Sequence, residues 1–448
     1  MSIDAFIHKL VEQIWGWPLL GLLAVVSIVF TILLGGVQFK YFFTSWKLAF
    51  SNENPKSSDE SGEKQITVFQ AFINSLGASI GNGNIAGIPA AVHQGGPGAI
   101  FWMVVFGFIC LSIRYAEVYL GTLFTNNASA KDKAPIGGPM LYLAKIPGGR
   151  YLPHIYAFFC FFYTLVAGNA IQCNSIAVGF VRTMPDTSPM TVAIILTAFV
   201  MYVLLGGANR IIAASEKLVP LKVGVFLICS TILLGYHSDK ILEALQLIWH
   251  HAFHPVAIAG GAVGIAVSSA ISYGVSFGMN ASEVGVGTAS VIFGRTEKQD
   301  PVKKGIISML SAFITTHVVC FIVGLSVIVS GVWNNGETST ALNVSAYETV
   351  FGLKGGWIVN FYTIVFGLSV VVAYAYIAQE CWLFVTRQRG KVVFLVLYTL
   401  ATIWGTLGSV DFVWDTIRII LATMLLINLY GIMYLLPSVR KGLQETKI

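Results

Sequence analysis

Apolar positions in this chain do not alternate in the manner of a strand, nor do they recur every three to four residues as on a half-buried helix. They run in blocks of roughly 20 residues, the length that crosses a bilayer as a helix. Short polar or charged segments and Gly/Pro punctuation separate them. Read this way, the pattern predicts an all-α, polytopic membrane protein of about eleven transmembrane helices. They lie near 17–39, 66–92, 98–124, 152–181, 190–206, 211–236, 259–292, 305–333, 357–385, 392–408 and 412–436.

Composition agrees and excludes a soluble domain. Of 448 residues, 56% are hydrophobic and 11% charged, with mean hydropathy +0.76, against roughly 25% charged in ordinary soluble proteins. The first apolar run follows Asp4, Lys9 and Glu12 and has no small-residue cleavage site, so it is expected to be a retained helix. Cys110, Cys160, Cys173, Cys229, Cys320 and Cys381 all sit in apolar runs, where a disulfide or zinc framework is implausible and small apolar filler is the expected role.

The net charge of +6 encodes topology rather than an acidic partner. Most lysines and arginines collect in alternate loops, among them Lys40, Lys131, Arg210, Arg295, Arg387 and Arg440, whereas Lys9, Arg182, Lys240 and Lys354 fall on the other side. The positive-inside rule then puts the N-terminus outside and the C-terminus in the cytoplasm, with an odd number of spans. The expected location is a bacterial or archaeal plasma (inner) membrane. Ser51 to Lys64 has the composition of a solvated cytoplasmic linker.

With the first span set aside, the other ten divide into fives. The expected organisation is 1–65 for the peripheral helix and linker, 66–236 for one five-helix repeat and 237–258 for an extracytoplasmic connector. A second repeat follows at 259–436 and a tail at 437–448. Each repeat opens with a glycine-interrupted span: GASIGNGNIAG (Gly77 to Gly87) and SYGVSFGMNASEVGVG (Ser272 to Gly287). An odd number of spans per half makes the repeats inverted, and paired interrupted helices point to a midplane binding site between them.

A broken helix in a bilayer must line a cavity or be buried in protein. Its new N-terminus offers free N–H groups and positive dipole to a carboxylate, and nearby carbonyls suit a cation or an ammonium. Gly81, Asn82, Gly83 and Asn84 therefore suit an amino-acid zwitterion; the plainer alternative is that the glycines permit close helix packing. Gln172 lies beside Asn169 and Asn174 in an apolar span, where amides face protein or a cavity. It is a candidate substrate contact, with interhelical hydrogen bonding as the alternative.

The run ASIGNGNIAG followed by HQGGPGAIFWM (Ala78 to Met103) resembles the signature of the alanine or glycine:cation symporter family, often called sodium:alanine symporters. GGPMLYL, GNAIQCNSIA, GGANRIIAASEKLVP and Glu283 to Gly287 follow in the same order. The resemblance implies a LeuT-type fold, two inverted five-helix repeats plus one N-terminal helix. It implies a secondary symporter for small neutral amino acids, with the carboxylate near Gly81 to Asn84, a contact from Gln172, and pocket walls at Tyr273, Gly274, Phe277, Gly278, Met279 and Asn280. Asn82 stands where the family usually has threonine and Phe277 where it often has arginine.

The family also implies sodium as the coupling ion, held between the first broken helix and the span near 357–385. Two adjacent hydroxyl residues usually serve there; this chain reads Ser369-Val370. It also carries Lys222, where the family has an apolar residue. The expectation drawn from this departure is that the ammonium fills the sodium position. It would donate to carbonyls near Gly77 and Ile80 and to Ser369, so that coupling runs through protons or without sodium. In the alternative, Lys222 snorkels to the cytoplasmic interface beyond Lys217.

Other ionisable residues lack assigned partners. Arg114 and Glu117, three apart, can pair on one helix face; Glu283, Glu380, Asp415 and Arg418 are candidate gates or relays. His250 and His254 have metal-compatible spacing but no third ligand. No nucleophile, base and orienter set suggests an enzyme, and no cofactor is expected beyond a possible Na+ or H+ as coupling ion. An ion channel is the alternative of another class. Lipid and a small neutral amino acid are the expected partners, with no nucleic acid and no sign of an obligate protein partner.

Overall fold

The computed structural model describes residues 3–50, 68–126, 137–205, 208–254, 263–294, 300–387 and 389–446. Every regular element among them is helical. The polar segment 51–64 lies outside the described residues, as does 255–258 at the end of the expected connector.

Among the described residues, five helices are long and apolar enough to cross a membrane: Phe6–Leu33, Leu152–Thr183, Pro301–Val329, Lys354–Val385 and Val410–Tyr434. Two bent pairs raise this to seven, Gly98–Ile109 with Leu111–Asn126 at 43°, and Leu221–Tyr236 with Ser238–Phe253 at 76°. Pro189–Tyr202 and Lys391–Leu407 are apolar but shorter. The expected spans at 66–92 and 259–292 do not appear as single long helices, because each is broken by its glycines.

The first breaks after Val68–Ser79, makes one short turn at Asn82–Ile85 and resumes as Gly87–Gly95. The second ends its long arm, Val263–Ser282, at Glu283, whose φ is 55°; Gly285 (φ 78°) and Gly287 (φ 96°) complete the break before Thr288–Gly294. Glycine adopts such left-handed angles without steric cost, whereas glutamate does not. Hence Glu283 is held there by its surroundings.

Small residues let the broken helices approach their neighbours. A Cβ on Gly274 would collide with the Ala99 carbonyl, and one on Gly278 would lie 2.7 Å from Met103 Cγ. The helix Trp17–Leu33 sits at the margin, burying Leu19, Leu23, Val26 and Phe30. Its Val25, Ile28 and Ile32 stay exposed, an apolar surface suited to lipid rather than water.

Two long helices contain a wider turn, Val166–Ala170 and Ile314–Cys320, in which the hydrogen-bond ladder shifts to i+5. Such π-turns commonly mark functional segments because they free a carbonyl from the ladder. Val166–Ala170 lies beside the first break.

Candidate functional site

The turn after Ser79 is built around Gln172. The Asn82 N–H donates to Gln172 Oε1 at 2.9 Å, and Gln172 Nε2 donates to Ala167 O, inside the π-turn, at 2.8 Å. Asn82 Nδ2 reaches the Gln172 and Thr363 carbonyls at 3.2 and 3.1 Å. Gly81 is pressed against the neighbouring helix: an added Cβ would stand 2.7 Å from Val370 Cγ2 and 3.2 Å from Gln172 Oε1. Asn84 turns back to the Ser79 carbonyl at 3.0 Å.

On the other side of this turn lies a buried cation. Lys222 is 1% exposed. Its ammonium donates to Gly77 O at 2.9 Å, Ile80 O at 2.8 Å and Ser369 Oγ at 2.7 Å. The ring of Phe366 lies 5.1 Å away. An ammonium has three N–H donors and no acceptor; all three are used. The structure thus brings Gly77, Ile80, Lys222 and Ser369 together in one oxygen-lined cage.

A small cavity opens beside the break. Its wall includes Ser79, Gly81, Gly83, Gln172, Val370, Tyr163, Tyr374, Asn280 and Glu283. Tyr273, Gly274, Phe277 and Gly278 are not among the lining residues. Gly274 and Gly278 share the helix face packed on Ala99 and Met103. Tyr273 and Phe277 face Arg418, whose guanidinium lies 4.6 and 5.8 Å from their ring centres. Phe277 also packs on Trp414 with centroids 5.0 Å apart, and both rings cover Gly87. These aromatic rings close one approach to the break, while the polar wall lies one to two turns further along the same helix.

Glu283 is the wall residue whose importance the sequence left open. Thr288 Oγ1 donates to its Oε2 at 2.6 Å. Behind it, Arg114 and Glu117 form a fully buried ion pair at 2.7 Å, and the other arm of Arg114 donates to the Ser282 carbonyl. Asn428 links Glu117 (3.4 Å) to the Gly285 carbonyl (2.7 Å). The signal available in the sequence was an ionisable residue inside a glycine-interrupted span.

Other polar residues singled out in the sequence tie the helices together. Asn169 donates to Tyr398 O at 2.7 Å and Asn174 to Gly405 O and Gly408 O at 2.9 Å, so both amides tie helices together. Asp415 stands 3.5 Å from Arg418 and 2.7 Å from His8 of the N-terminal helix. His250 and His254 stack at 5.4 Å, and no group of three metal-ligating side chains occurs among the described residues.

Comparison with known proteins places this architecture. The family described as the sodium:alanine symporter family matches residues 1–447. An uncharacterized transporter of Haemophilus influenzae is 31% identical over 454 residues, covering 100% of this chain and 96% of that protein. A sodium/alanine symporter of Methanococcus maripaludis is 30% identical over 443 residues, 97% of this chain and 95% of its own. Among solved structures, a manganese transporter of Eremococcus coleocola superimposes with a TM-score of 0.53 at 13% identity, over 88% of this chain and 81% of its own. That likeness concerns the fold alone.

Proposed function

The chain belongs to the sodium:alanine symporter family, and on that premise we propose that it carries small neutral amino acids, alanine- or glycine-like, by alternating access. It is a multi-pass membrane transporter and not an enzyme. In this reading eleven spans form two inverted five-helix repeats, 66–236 and 259–436, plus the N-terminal helix. The substrate carboxylate sits at the Gly81 to Asn84 backbone, and Gln172 gives way to it at the Asn82 N–H. The Gln172 amide oxygen already holds the place of a carboxylate oxygen there, at 2.9 Å, which supports the assignment.

The family's name points to sodium; the observation that carries a different coupling is the Lys222 cage. Two carbonyls and a hydroxyl within 2.9 Å make the kind of oxygen set that a hard cation requires, and here a tethered ammonium saturates it. In this second reading Lys222 replaces a sodium ion at that position, and protons take over as coupling ion.

Uptake of labelled alanine into right-side-out vesicles under separate sodium and pH gradients tests both. The expected result is uptake without sodium, driven by an inward pH gradient, and at least a tenfold loss in K222M. Strict sodium dependence that survives unchanged in K222M sinks the replacement reading and leaves ordinary sodium symport.

A further inference from the structure

We propose that Glu283 carries the coupling proton, binding it at the cavity wall; this rests on the reading of the chain as a proton-coupled amino-acid symporter. Lys222 is poorly placed for that task. Its three N–H groups all go to two carbonyls and a hydroxyl, none of which accepts a proton at ordinary pH, and it is not among the residues lining the cavity.

Glu283 has what Lys222 lacks. It is 6% exposed, lines the cavity and stands on the break of the second interrupted helix, the element expected to rearrange in alternating access. Around it on the same wall, the Tyr163 and Tyr374 hydroxyls and the Asn280 amide oxygen are buried without a hydrogen-bond partner. Buried polar atoms are seldom left so. Three of them facing one small cavity make a wall suited to water or to a ligand that donates and accepts hydrogen bonds.

The charges around Glu283 do not balance. Arg114 and Glu117 face it from Leu111–Asn126, Tyr163 from Leu152–Leu165, and Tyr374 from Lys354–Val385; Cys160 stands beside Tyr163, and Tyr142 beside Glu117. Val68–Ser79 and Asn82–Ile85 carry no ionisable side chain. Arg114 is committed to Glu117 at 2.7 Å and to a carbonyl. Two carboxylates thus share one guanidinium. A buried charge without a partner is costly, and a proton removes it.

The step is simple in atoms. A hydronium ion in the cavity gives up its proton: one of its O–H bonds breaks as an O–H bond forms to the Glu283 oxygen not engaged by Thr288, leaving water and a neutral acid. After the cavity opens to the other side, that bond breaks and the proton returns to water. No other bond changes.

The test uses the full-length protein in proteoliposomes, labelled alanine, no sodium, and an inward pH gradient of about one unit, worth about tenfold in concentration for one proton. Wild type is expected to accumulate alanine several-fold and to take up about one proton per alanine, read with an internal pH dye. E283Q is isosteric and still able to accept from Thr288, and whatever net alanine uptake it retains is expected to proceed without proton entry, read with the same dye. It should lose gradient-driven accumulation and the pH dependence of uptake. Accumulation retained in E283Q overturns the proposal. So does net wild-type uptake of alanine without proton entry, a result that does not depend on how the variant folds. If wild type exchanges no alanine at all, the transport reading itself fails, and this proposal with it.

Discussion

At the residue scale, the tightest constraint on the site is the contact between Gly81 and Val370. A methyl group at position 81 would stand 2.7 Å from Val370 Cγ2, closer than carbon atoms tolerate, and would press on the turn that Gln172 holds. G81A is expected to lower alanine uptake at least tenfold at equal expression. V370A removes the obstructing methyl, so G81A/V370A should recover a substantial part; recovery no better than G81A alone would show that the glycine serves another purpose. Gln172 and Lys222 were legible in the sequence for one reason. An amide or ammonium in an apolar run needs partners, and the partners within reach are those of a broken helix. The walls of the second broken helix were legible only at Asn280, because residue types alone do not fix which face of a helix turns inward. Gly274 and Gly278, with Tyr273 and Phe277, occupy faces that pack on Ala99, Met103 and Trp414, while Asn280 and Glu283 reach the cavity.

At the element scale, both breaks depend on groups outside their own helices. The first is held by the π-turn at Val166–Ala170, whose Ala167 carbonyl orients Gln172. The second is held by Arg114, which donates to the Ser282 carbonyl while pairing with Glu117. Both partners of that pair are fully buried; removing one member of such a pair costs about 3–5 kcal/mol, because the other charge is left behind. R114M is therefore expected to lower the thermal stability of the purified protein in detergent markedly, and R114M/E117Q to recover most of the loss. Equal melting temperatures for the single and double variants would show that the pair contributes through its hydrogen bonds rather than its charges. The spacing of Arg114 and Glu117 suggested this contact. Their position behind Glu283 did not follow, since it depends on chain segments more than 160 residues apart, as Arg114 and Ser282 are.

At the scale of the whole molecule, the apolar blocks carried the broad picture, a helical multi-pass membrane protein. The glycine breaks divide the expected spans at 66–92 and 259–292 into shorter arms, which a criterion of helix length does not register. The topology read from lysine and arginine is open to a direct check. An epitope tag at the N-terminus is expected to be reached by antibody on intact spheroplasts, and one at the C-terminus only after permeabilisation. Equal accessibility of both tags would require an even number of spans and would undo the inverted relation of the repeats.

The Lys222 cage has one more consequence. A dissolved ion occupies its site in proportion to its concentration outside the cell, so an ion-filled transporter stalls in dilute media. A cation attached to the backbone by a four-carbon arm has no such dependence: its local concentration is set by the tether and is the same in every medium. On the proposed reading, with Lys222 in the place of an ion, the first broken helix keeps its shape in brine and in fresh water alike, and amino-acid uptake does not follow the salinity of the medium.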